Sequence, residues 1–231
     1  MKFTEAYGIQ GNWASCQAAG EGCAIPLNDS VAIAPNATCY QGSVPGHMIN
    51  VSSVEDIQIA LQAAQKSRIP VVIKNTGHDW KGRSSAPGSL GLWIHHLRPR
   101  PVLDRSFKPT NCQDHPTETV IRFGGGEQWA AVYDFANQNG LAVLGGTCPT
   151  VGIAGWLQGG GHSPLTPWYG MGADNVRQVT IVIPTGEIKV ANECQNPGLF
   201  FAVRGGGGGF GVITELVYKA VPKFQVQVSA V

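Results

Sequence analysis

The sequence is poor in charged residues and has no long hydrophobic run. Lys, Arg, Asp and Glu make up 13% of the 231 residues, about half of the share usual in globular proteins. The 16 basic and 15 acidic side chains leave a formal net charge of +1, with no basic run and no acidic tail. This balance argues against a nucleic-acid partner. No apolar stretch approaches the roughly 20 residues that a membrane span requires, so we expect no membrane partner either.

Common metal and nucleotide signatures are also missing. The six cysteines have no paired C-x-x-C spacing, so we expect no metal site. The phosphate-binding pattern G-x-x-x-x-G-K-[ST] does not occur. The five glycines at 205–209 follow a predicted helix and precede a predicted strand, which reverses the order of a Rossmann unit. His95 and His96 would point to opposite faces of a strand, so we interpret them as a strand-end pair rather than as ligands of one metal.

The first 44 residues show neither helical nor strand periodicity, which favours an irregular N-terminal segment. Residues 1–11 lack the apolar core of a signal peptide. The N-glycosylation pattern Asn-x-Ser/Thr nevertheless begins at Asn28, Asn36 and Asn50. We therefore expect a secreted glycoprotein, although the chain shows no signal peptide of its own.

Beyond this segment, helical and strand patterns alternate. Residues 55–67 form an amphipathic helical pattern, at whose start Ser52 and Glu55 have the spacing of a capping box, and 71–73 form a strand. Hairpins intrude among the helices, which favours an α+β fold over a doubly wound parallel sheet. The other predicted elements are a helix at 127–139 closed by Gly140, a strand at 141–144, a short helical stretch at 151–158, a hairpin of 176–183 with 188–191, a helix at 197–203 and a strand at 211–220.

Glycine is abundant, with 31 residues, and much of it falls in clusters where elements join. Five clusters lie at 74–79, 123–126, 145–148, 155–162 and 204–211. Glycine there lets a ligand approach the main chain closely. The amides of residues 75–79 can form a nest for a pyrophosphate, whereas a single cluster of this kind is also explained by a plain tight turn. Several such loops together favour a nucleotide held by separate backbone turns.

Two reactive side chains lie within these loops. His78 belongs to the proposed pyrophosphate loop, and Cys148 precedes the helical stretch at 151–158. A thiol at a helix N-terminus is favoured as its thiolate and becomes a better nucleophile. The alternatives are a surface-loop histidine and a cysteine that is buried or disulfide-bonded, so residue type alone gives no reaction.

Five ordered blocks, at 72–79, 145–155, 159–163, 169–175 and 199–205, resemble the flavin-binding half of the berberine bridge enzyme-like oxidases of the vanillyl-alcohol oxidase superfamily. The resemblance covers residues 40 to 222 approximately. It implies an α+β, PCMH-type FAD-binding domain of two α+β subdomains at 45–222, followed by a short tail at 223–231. The substrate domain of that family has no counterpart in this sequence.

The resemblance also implies roles for individual residues. His78 matches the histidine that bonds the 8α methyl of the flavin, and Cys148 matches the cysteine that bonds its carbon 6. Both residue types are nucleophiles able to add to an electron-poor flavin. The pyrophosphate would be cradled by Asn75, Thr76, Gly77 and Asp79, with Ser84 and Ser85 nearby. The ring system would be bordered by Gly152, Gly155, Gly160 and His162, and the dinucleotide cleft completed by Asn175, Gly211 and Ile213.

The implied function is that of an FAD-linked oxidoreductase. Hydride would pass from an alcohol, sugar or secondary metabolite to bicovalently bound FAD, with dioxygen as the acceptor. No catalytic base is identified, because the family usually supplies it from the substrate domain. Two alternatives stay open: a catalytically incomplete FAD-binding module, and a secreted glycine-rich structural domain that no longer binds the cofactor.

Overall fold

The computed structural model describes residues 44–225. The predicted irregular segment at 1–44 therefore lies outside the described residues except for residue 44, and the tail at 223–231 lies outside them beyond residue 225. Asn28 and Asn36 also lie outside the described residues. Within residues 44–225, no helix is long and apolar enough to cross a lipid bilayer.

The first subdomain is a small parallel sheet covered by one helix. Its strands are β1 (His47–Asn50), β2 (Val71–Lys74) and β3 (Leu90–Trp93), in the order β1-β3-β2. Helix α1 (Val54–Ser67) packs Ile57, Ala60 and Ala64 into the core, as its periodicity predicts.

The N-terminal cap of α1 differs from the prediction by one residue. The capping box is formed by Ser53 and Asp56, not by Ser52 and Glu55. Ser53 Oγ accepts a hydrogen bond from the Asp56 amide at 3.1 Å, and Asp56 Oδ2 accepts from the Ser53 amide at 2.9 Å. Asp56 Oδ2 also accepts from the Ser52 amide at 2.9 Å. The aspartate is the better partner because its carboxylate satisfies two amides that the helix leaves unpaired.

The second subdomain is built on a five-stranded antiparallel sheet, whose strands are β4 (Val102–Phe107), β5 (Glu118–Gly124), β7 (Val176–Val182), β8 (Ile188–Ala191) and β9 (Val212–Lys219). The sheet has the strand order β4-β5-β9-β7-β8. Its hairpin of β7 and β8 and its last long strand were predicted from the sequence, whereas β4 and β5 were not.

Short helices connect these strands. The helices are α2 (Trp129–Gln138), α3 (Ile153–Gln158), α4 (Thr166–Tyr169) and α5 (Pro197–Val203), with 3-10 turns at Gly172–Asn175 and Gly208–Phe210. Gly140 follows α2 with φ +70°, the left-handed conformation expected of a C-terminal glycine. The predicted strand at 141–144 is reduced to β6 (Leu141–Ala142), which pairs with β10 (Val221–Pro222).

The two subdomains share a hydrophobic cluster. Ile57 of α1 and Leu92 of β3 pack with Val182 of β7 and Val212 of β9, all fully or almost fully buried. Gln58 Nε2 adds a hydrogen bond to the Gly186 carbonyl at 2.7 Å. The α+β arrangement in two subdomains is therefore confirmed, and the ends of strands from both sheets lie near one another.

A disulfide joins two loops of the second subdomain. Cys112, between β4 and β5, is bonded to Cys194, between β8 and α5, with a Cα–Cα distance of 5.4 Å. Glu193 lies beside this pair and completes the one metal-like cluster of His, Cys and acidic residues found within 44–225. Because both sulfurs are consumed by the disulfide, this cluster offers no thiolate ligand for a metal.

Candidate functional site

The loop that follows β2 has unpaired backbone amides. Gly77 has φ +87°, a conformation that favours glycine, and Thr76 and Gly77 are buried. Among the described residues, the amides of Thr76, Gly77, His78 and Asp79 have no hydrogen-bond acceptor. Buried amides are nearly always paired in folded proteins. A run of four free amides is therefore suited to an anionic ligand such as a pyrophosphate.

The Asn75 side chain fixes this loop against its neighbours. Its Nδ2 donates to the carbonyls of Gly125 and Glu127, at 3.1 and 3.4 Å. Trp93 Nε1 in turn donates to the Asn75 carbonyl at 2.8 Å. Asn75 was predicted to belong to the pyrophosphate cradle, and its side chain holds the loop in place through these hydrogen bonds.

His78 and Cys148 meet at a third residue, Thr150. His78 Nε2 lies 2.8 Å from Thr150 Oγ1, and Cys148 Sγ lies 3.4 Å from the same oxygen. The distance between His78 Nε2 and Cys148 Sγ therefore cannot exceed the sum of these two distances. The structure brings together two residues separated by 70 positions in the sequence, within reach of one aromatic ring system.

Both reactive groups have perturbed acidities. Burial lowers the pKa of His78, because desolvation penalises the charged imidazolium. The hydrogen bond from the Thr150 side chain, aided by that from its amide, lowers the pKa of the exposed Cys148 thiol. Cys148 is the free cysteine of the described residues. A neutral imidazole and a thiol that ionises readily are both suited to nucleophilic attack.

The side chain of Asp79, the last residue of the cradle, holds the turn that follows it. Its carboxylate accepts from the amides of Lys81 and Arg83, at 3.1 and 3.0 Å, and pairs with the Arg83 guanidinium at 2.8 Å. Burial tends to raise the pKa of Asp79, but the hydrogen bonds from Arg83 and Lys81 outweigh it and hold the pKa below its usual value. Ser84 and Ser85 follow in the same turn, both half-buried, and the Ser85 amide donates to the Gly82 carbonyl at 3.1 Å.

The start of α3 lies directly on the cradle. The Gly152 amide donates to Thr76 Oγ1 at 3.2 Å, and a Cβ added at Gly152 would collide with the Asn75 side chain. A Cβ at Gly155 would meet no atom within 4 Å, so this position borders open space. Gly160 has φ +97°, and its carbonyl accepts from the Ala173 amide at 3.0 Å, while His162 is exposed.

The last three predicted residues, which the resemblance assigns to the dinucleotide cleft, lie in the second subdomain. Asn175 is buried, and its Nδ2 donates to the carbonyls of Tyr169 and Met171 at 2.8 and 2.9 Å. Gly211 has φ +143°, and a Cβ there would collide with the Val182 carbonyl. Ile213 is a core side chain whose carbonyl lies against Gly125. Within residues 44–225, no hydrogen bond joins Asn175 or His162 to His78 or Cys148.

Sequence reasoning missed Thr150, Glu127 and Gln128. Gln128 Nε2 donates to the Thr150 carbonyl at 2.7 Å, and the Glu127 carbonyl accepts from the Ile153 amide at 3.0 Å. Burial raises the pKa of the Glu127 carboxyl. The prediction started α2 at Glu127, whereas the helix begins at Trp129. This shift hid the fact that the two preceding residues support the site.

These features fit FAD. The free amides of residues 76–79 match an anionic pyrophosphate, and the Thr150-linked pair supplies two nucleophiles for one ring system. Trp129 Nε1 is the buried side-chain atom without a hydrogen-bond partner in the described residues, and a Cβ at Gly146 would lie 3.3 Å from it. The glycine loop at 145–148, which contains Cys148, therefore lies against the buried Trp129 N–H, which has no acceptor among the described residues.

Comparison with known proteins points to the same cofactor. Residues 45–192 match the family model described as FAD binding domain. The chain is 40% identical over 216 residues to the FAD-linked oxidoreductase phmC of Phaeosphaeria nodorum, a match that covers 92% of this chain and 49% of that protein.

Two solved structures are similar in fold and sequence. The VAO-type flavoprotein MtVAO615 of Myceliophthora thermophila C1 has a TM-score of 0.74 and 39% identity, over 80% of this chain and 33% of that chain. The glucooligosaccharide oxidase of Acremonium strictum, which carries a 6-S-cysteinyl, 8α-N1-histidyl FAD, has a TM-score of 0.67 and 27% identity over 78% of this chain and 36% of its own. The chain spans half or less of the length of each relative.

Proposed function

The chain belongs to the FAD-binding domain family of the VAO-type FAD-linked oxidoreductases, and from this premise we propose that it binds FAD covalently through both His78 and Cys148. The observation that supports this proposal most strongly is the shared contact of both residues with Thr150 Oγ1. The 8α methyl and carbon 6 belong to the same ring of the flavin. Two nucleophiles held by one hydroxyl are therefore at a separation suited to both positions.

The pyrophosphate is assigned to the loop after β2. Four consecutive free amides at residues 76–79 supply hydrogen-bond donors without a charged side chain. Asn75 and Thr76 keep the loop fixed, the former through Gly125 and the latter through Gly152. A preformed cradle costs little conformational entropy when the ligand binds.

The proposed reaction is the oxidation of a small alcohol, sugar or secondary metabolite. FAD held by His78, Cys148 and the amides of residues 76–79 would supply a two-electron acceptor for the hydride of the substrate carbon, while a base takes the hydroxyl proton. Dioxygen would then take up the two electrons and two protons as hydrogen peroxide. His78 and Cys148 would orient the cofactor, and the loop at 76–79 would bind its pyrophosphate. The base is not assigned to a residue of 44–225.

A spectrum before and after acid precipitation tests the proposal. We expect purified protein to be yellow and the colour to stay in the pellet, because both bonds survive denaturation. The single variants His78→Ala and Cys148→Ala should each keep one bond, and the double variant should release all of its flavin into the supernatant. A wild-type chain that releases all of its colour would contradict covalent attachment, and a colourless chain would contradict FAD binding.

Peroxide formation separates an oxidase from an FAD-binding module without turnover. The yellow protein is mixed with reducing sugars and with aromatic alcohols, and hydrogen peroxide is measured. Peroxide above the level of the His78→Ala, Cys148→Ala double variant supports the oxidase. Bleaching of the flavin without peroxide would contradict dioxygen as the acceptor, and no reaction with any substrate would favour the binding module.

A further inference from the structure

Thr150 occupies an unusual position between two nucleophiles. Its hydroxyl is the shared hydrogen-bond partner of His78 Nε2 and Cys148 Sγ. A hydroxyl carries a single proton, so it can donate to one of these neighbours and accept from the other. The direction of this short chain of hydrogen bonds determines the protonation of both nucleophiles.

The backbone around Thr150 is held firmly. Three successive carbonyls accept hydrogen bonds from the segment that begins α2. The Pro149 carbonyl accepts from the Ala130 amide at 2.9 Å, the Thr150 carbonyl from Gln128 Nε2 at 2.7 Å, and the Val151 carbonyl from the Trp129 amide at 3.3 Å. The hydroxyl is therefore positioned by three contacts that do not involve its own side chain.

Only one direction of the chain leaves both nucleophiles active. If Nε2–H donates to Thr150 and the hydroxyl donates to the sulfur, Nδ1 keeps its lone pair and the sulfur is stabilised as a thiolate. If the thiol donates to Thr150 and the hydroxyl donates to Nε2, the sulfur is protonated and Nδ1 carries the ring proton. Among the described residues His78 Nδ1 has no hydrogen-bond partner, as expected for a free lone pair.

We propose that Thr150 is a positioning residue that holds His78 as its Nε2–H tautomer and Cys148 as its thiolate, which prepares both atoms for bonding to one flavin. This inference rests on the proposed function. The acidities point the same way, because the pKa of His78 and the pKa of Cys148 are both lowered, toward neutral imidazole and thiolate. No charged side chain is needed, since one neutral hydroxyl serves both groups.

The test uses the full chain produced in a riboflavin-starved host, so that no flavin becomes attached, and two variants at one position. Thr150→Val removes the hydroxyl and keeps the shape, and Thr150→Ser keeps the hydroxyl and removes the methyl. Alkylation of Cys148 by iodoacetamide at pH 7 is followed by mass spectrometry of the peptide that contains it. Losing a hydrogen bond to a charged group should slow alkylation roughly tenfold in Thr150→Val. Thr150→Ser should react at nearly the wild-type rate.

Nitrogen-15 spectra of labelled histidine give a second measurement that a merely structural role would not affect. We expect the His78 signal, assigned by its loss in His78→Gln, to report the Nε2–H tautomer in wild type and Thr150→Ser. Thr150→Val should show both tautomers. Unchanged alkylation and an unchanged tautomer in Thr150→Val would overturn the inference. A wild-type chain that shows both effects but takes up no FAD would overturn the proposed function instead, because neither measurement requires the cofactor.

Discussion

Gly152 connects the start of α3 to the loop after β2. Its φ of −71° suits any residue, so a side chain there is limited by space and not by backbone strain. Gly155, one turn further, adjoins open space. These two glycines therefore have different physical reasons for lacking a side chain, and the difference can be measured.

We expect Gly152→Ala to destabilise the flavin-free chain by about 2 kcal/mol, because the new methyl group would collide with Asn75. Gly155→Ala is the matched control and should change the free energy of unfolding by less than about 0.5 kcal/mol or stabilise the helix. Urea unfolding measures both. Equal effects of the two substitutions would contradict the close contact between Gly152 and Asn75.

Some residues of the site could be predicted from the sequence, and others could not. His78 and Cys148 were identified because they are reactive side chains in glycine loops, and their roles came from the resemblance to a known family. Gly140 was identified because a helix pattern ended there. Thr150 was missed, because its contact with His78 joins residues 72 positions apart and a threonine after a proline has no distinctive signal. Contacts of this kind depend on tertiary structure alone.

At the scale of elements, charged side chains join three strands of the five-stranded sheet. Glu118 on β5 pairs with Arg177 on β7, with Arg177 Nη2 to Glu118 Oε1 at 3.1 Å, and it lies 3.9 Å from Lys219 Nζ on β9. Burial acts to raise the pKa of Glu118, but the hydrogen bonds and charge of Arg177 prevail and hold it below its usual value. The side chains of Glu118 and Arg177 are only 21% and 17% exposed, so solvent screens this pair weakly.

We expect Glu118→Gln to lower the free energy of unfolding by about 2 kcal/mol at pH 7. Because the folded-state pKa of Glu118 is depressed, its contribution to the free energy of unfolding is complete above about pH 4.3, the ordinary pKa of glutamate in an unfolded chain. It is lost as the pH falls through the folded-state pKa. Urea unfolding of wild type and variant at pH 7 and pH 3 should therefore show a difference that shrinks in acid.

Glu187→Gln is the control for this prediction. Glu187 pairs with Lys189 at 2.5 Å, but its side chain is 60% exposed. An exposed pair contributes little to stability, so we expect almost no change at either pH. A difference for Glu118→Gln that grew on acidification would contradict the depressed pKa.

The elements themselves were predicted unevenly. Helix α1 was predicted because its apolar residues recur with the period of a helix. The β7–β8 hairpin was predicted because two strand patterns flank a Pro-Thr-Gly turn. Strand β5 was missed, although it lies inside the large sheet between β4 and β9, because its inward-facing and outward-facing residues do not alternate cleanly in hydrophobicity. The parallel pairing of β1 and β2 with β3 also joins distant segments, which no local pattern records.

At the scale of the whole molecule, the disulfide closes a long loop. Cys112 and Cys194 are 82 residues apart, and the enclosed segment contains β5, α2, α3 and much of the proposed site. A bond across so long a loop removes many conformations from the unfolded chain. It therefore stabilises the part of the fold that positions Cys148 and Thr150.

We expect the double substitution Cys112→Ser, Cys194→Ser to lower the free energy of unfolding by about 4 kcal/mol, from the entropy of a loop of this length. Cys148→Ser should leave the stability of the flavin-free chain nearly unchanged, because that thiol is free and exposed. Urea unfolding under non-reducing conditions compares the three proteins. A larger loss for Cys148→Ser than for the double variant would contradict this pairing.

The α+β class followed from the alternation of helices and hairpins, and the two-subdomain architecture was implied by the resemblance of five blocks to a known family. The arrangement of the subdomains did not follow, because it depends on how Ile57 and Leu92 pack against Val182 and Val212. The convergence of the loops at 75–79 and 148–152 is a consequence of that packing and of the Asn75 and Thr76 hydrogen bonds.

Peptide mass spectrometry of the protein purified with its flavin tests the central claim most directly. After proteolysis, the account predicts one flavin-containing species in which a single cofactor joins the peptide of His78 to the peptide of Cys148. Recovery of all flavin as free FAD, or of a flavin bonded to peptides that contain neither residue, would contradict it.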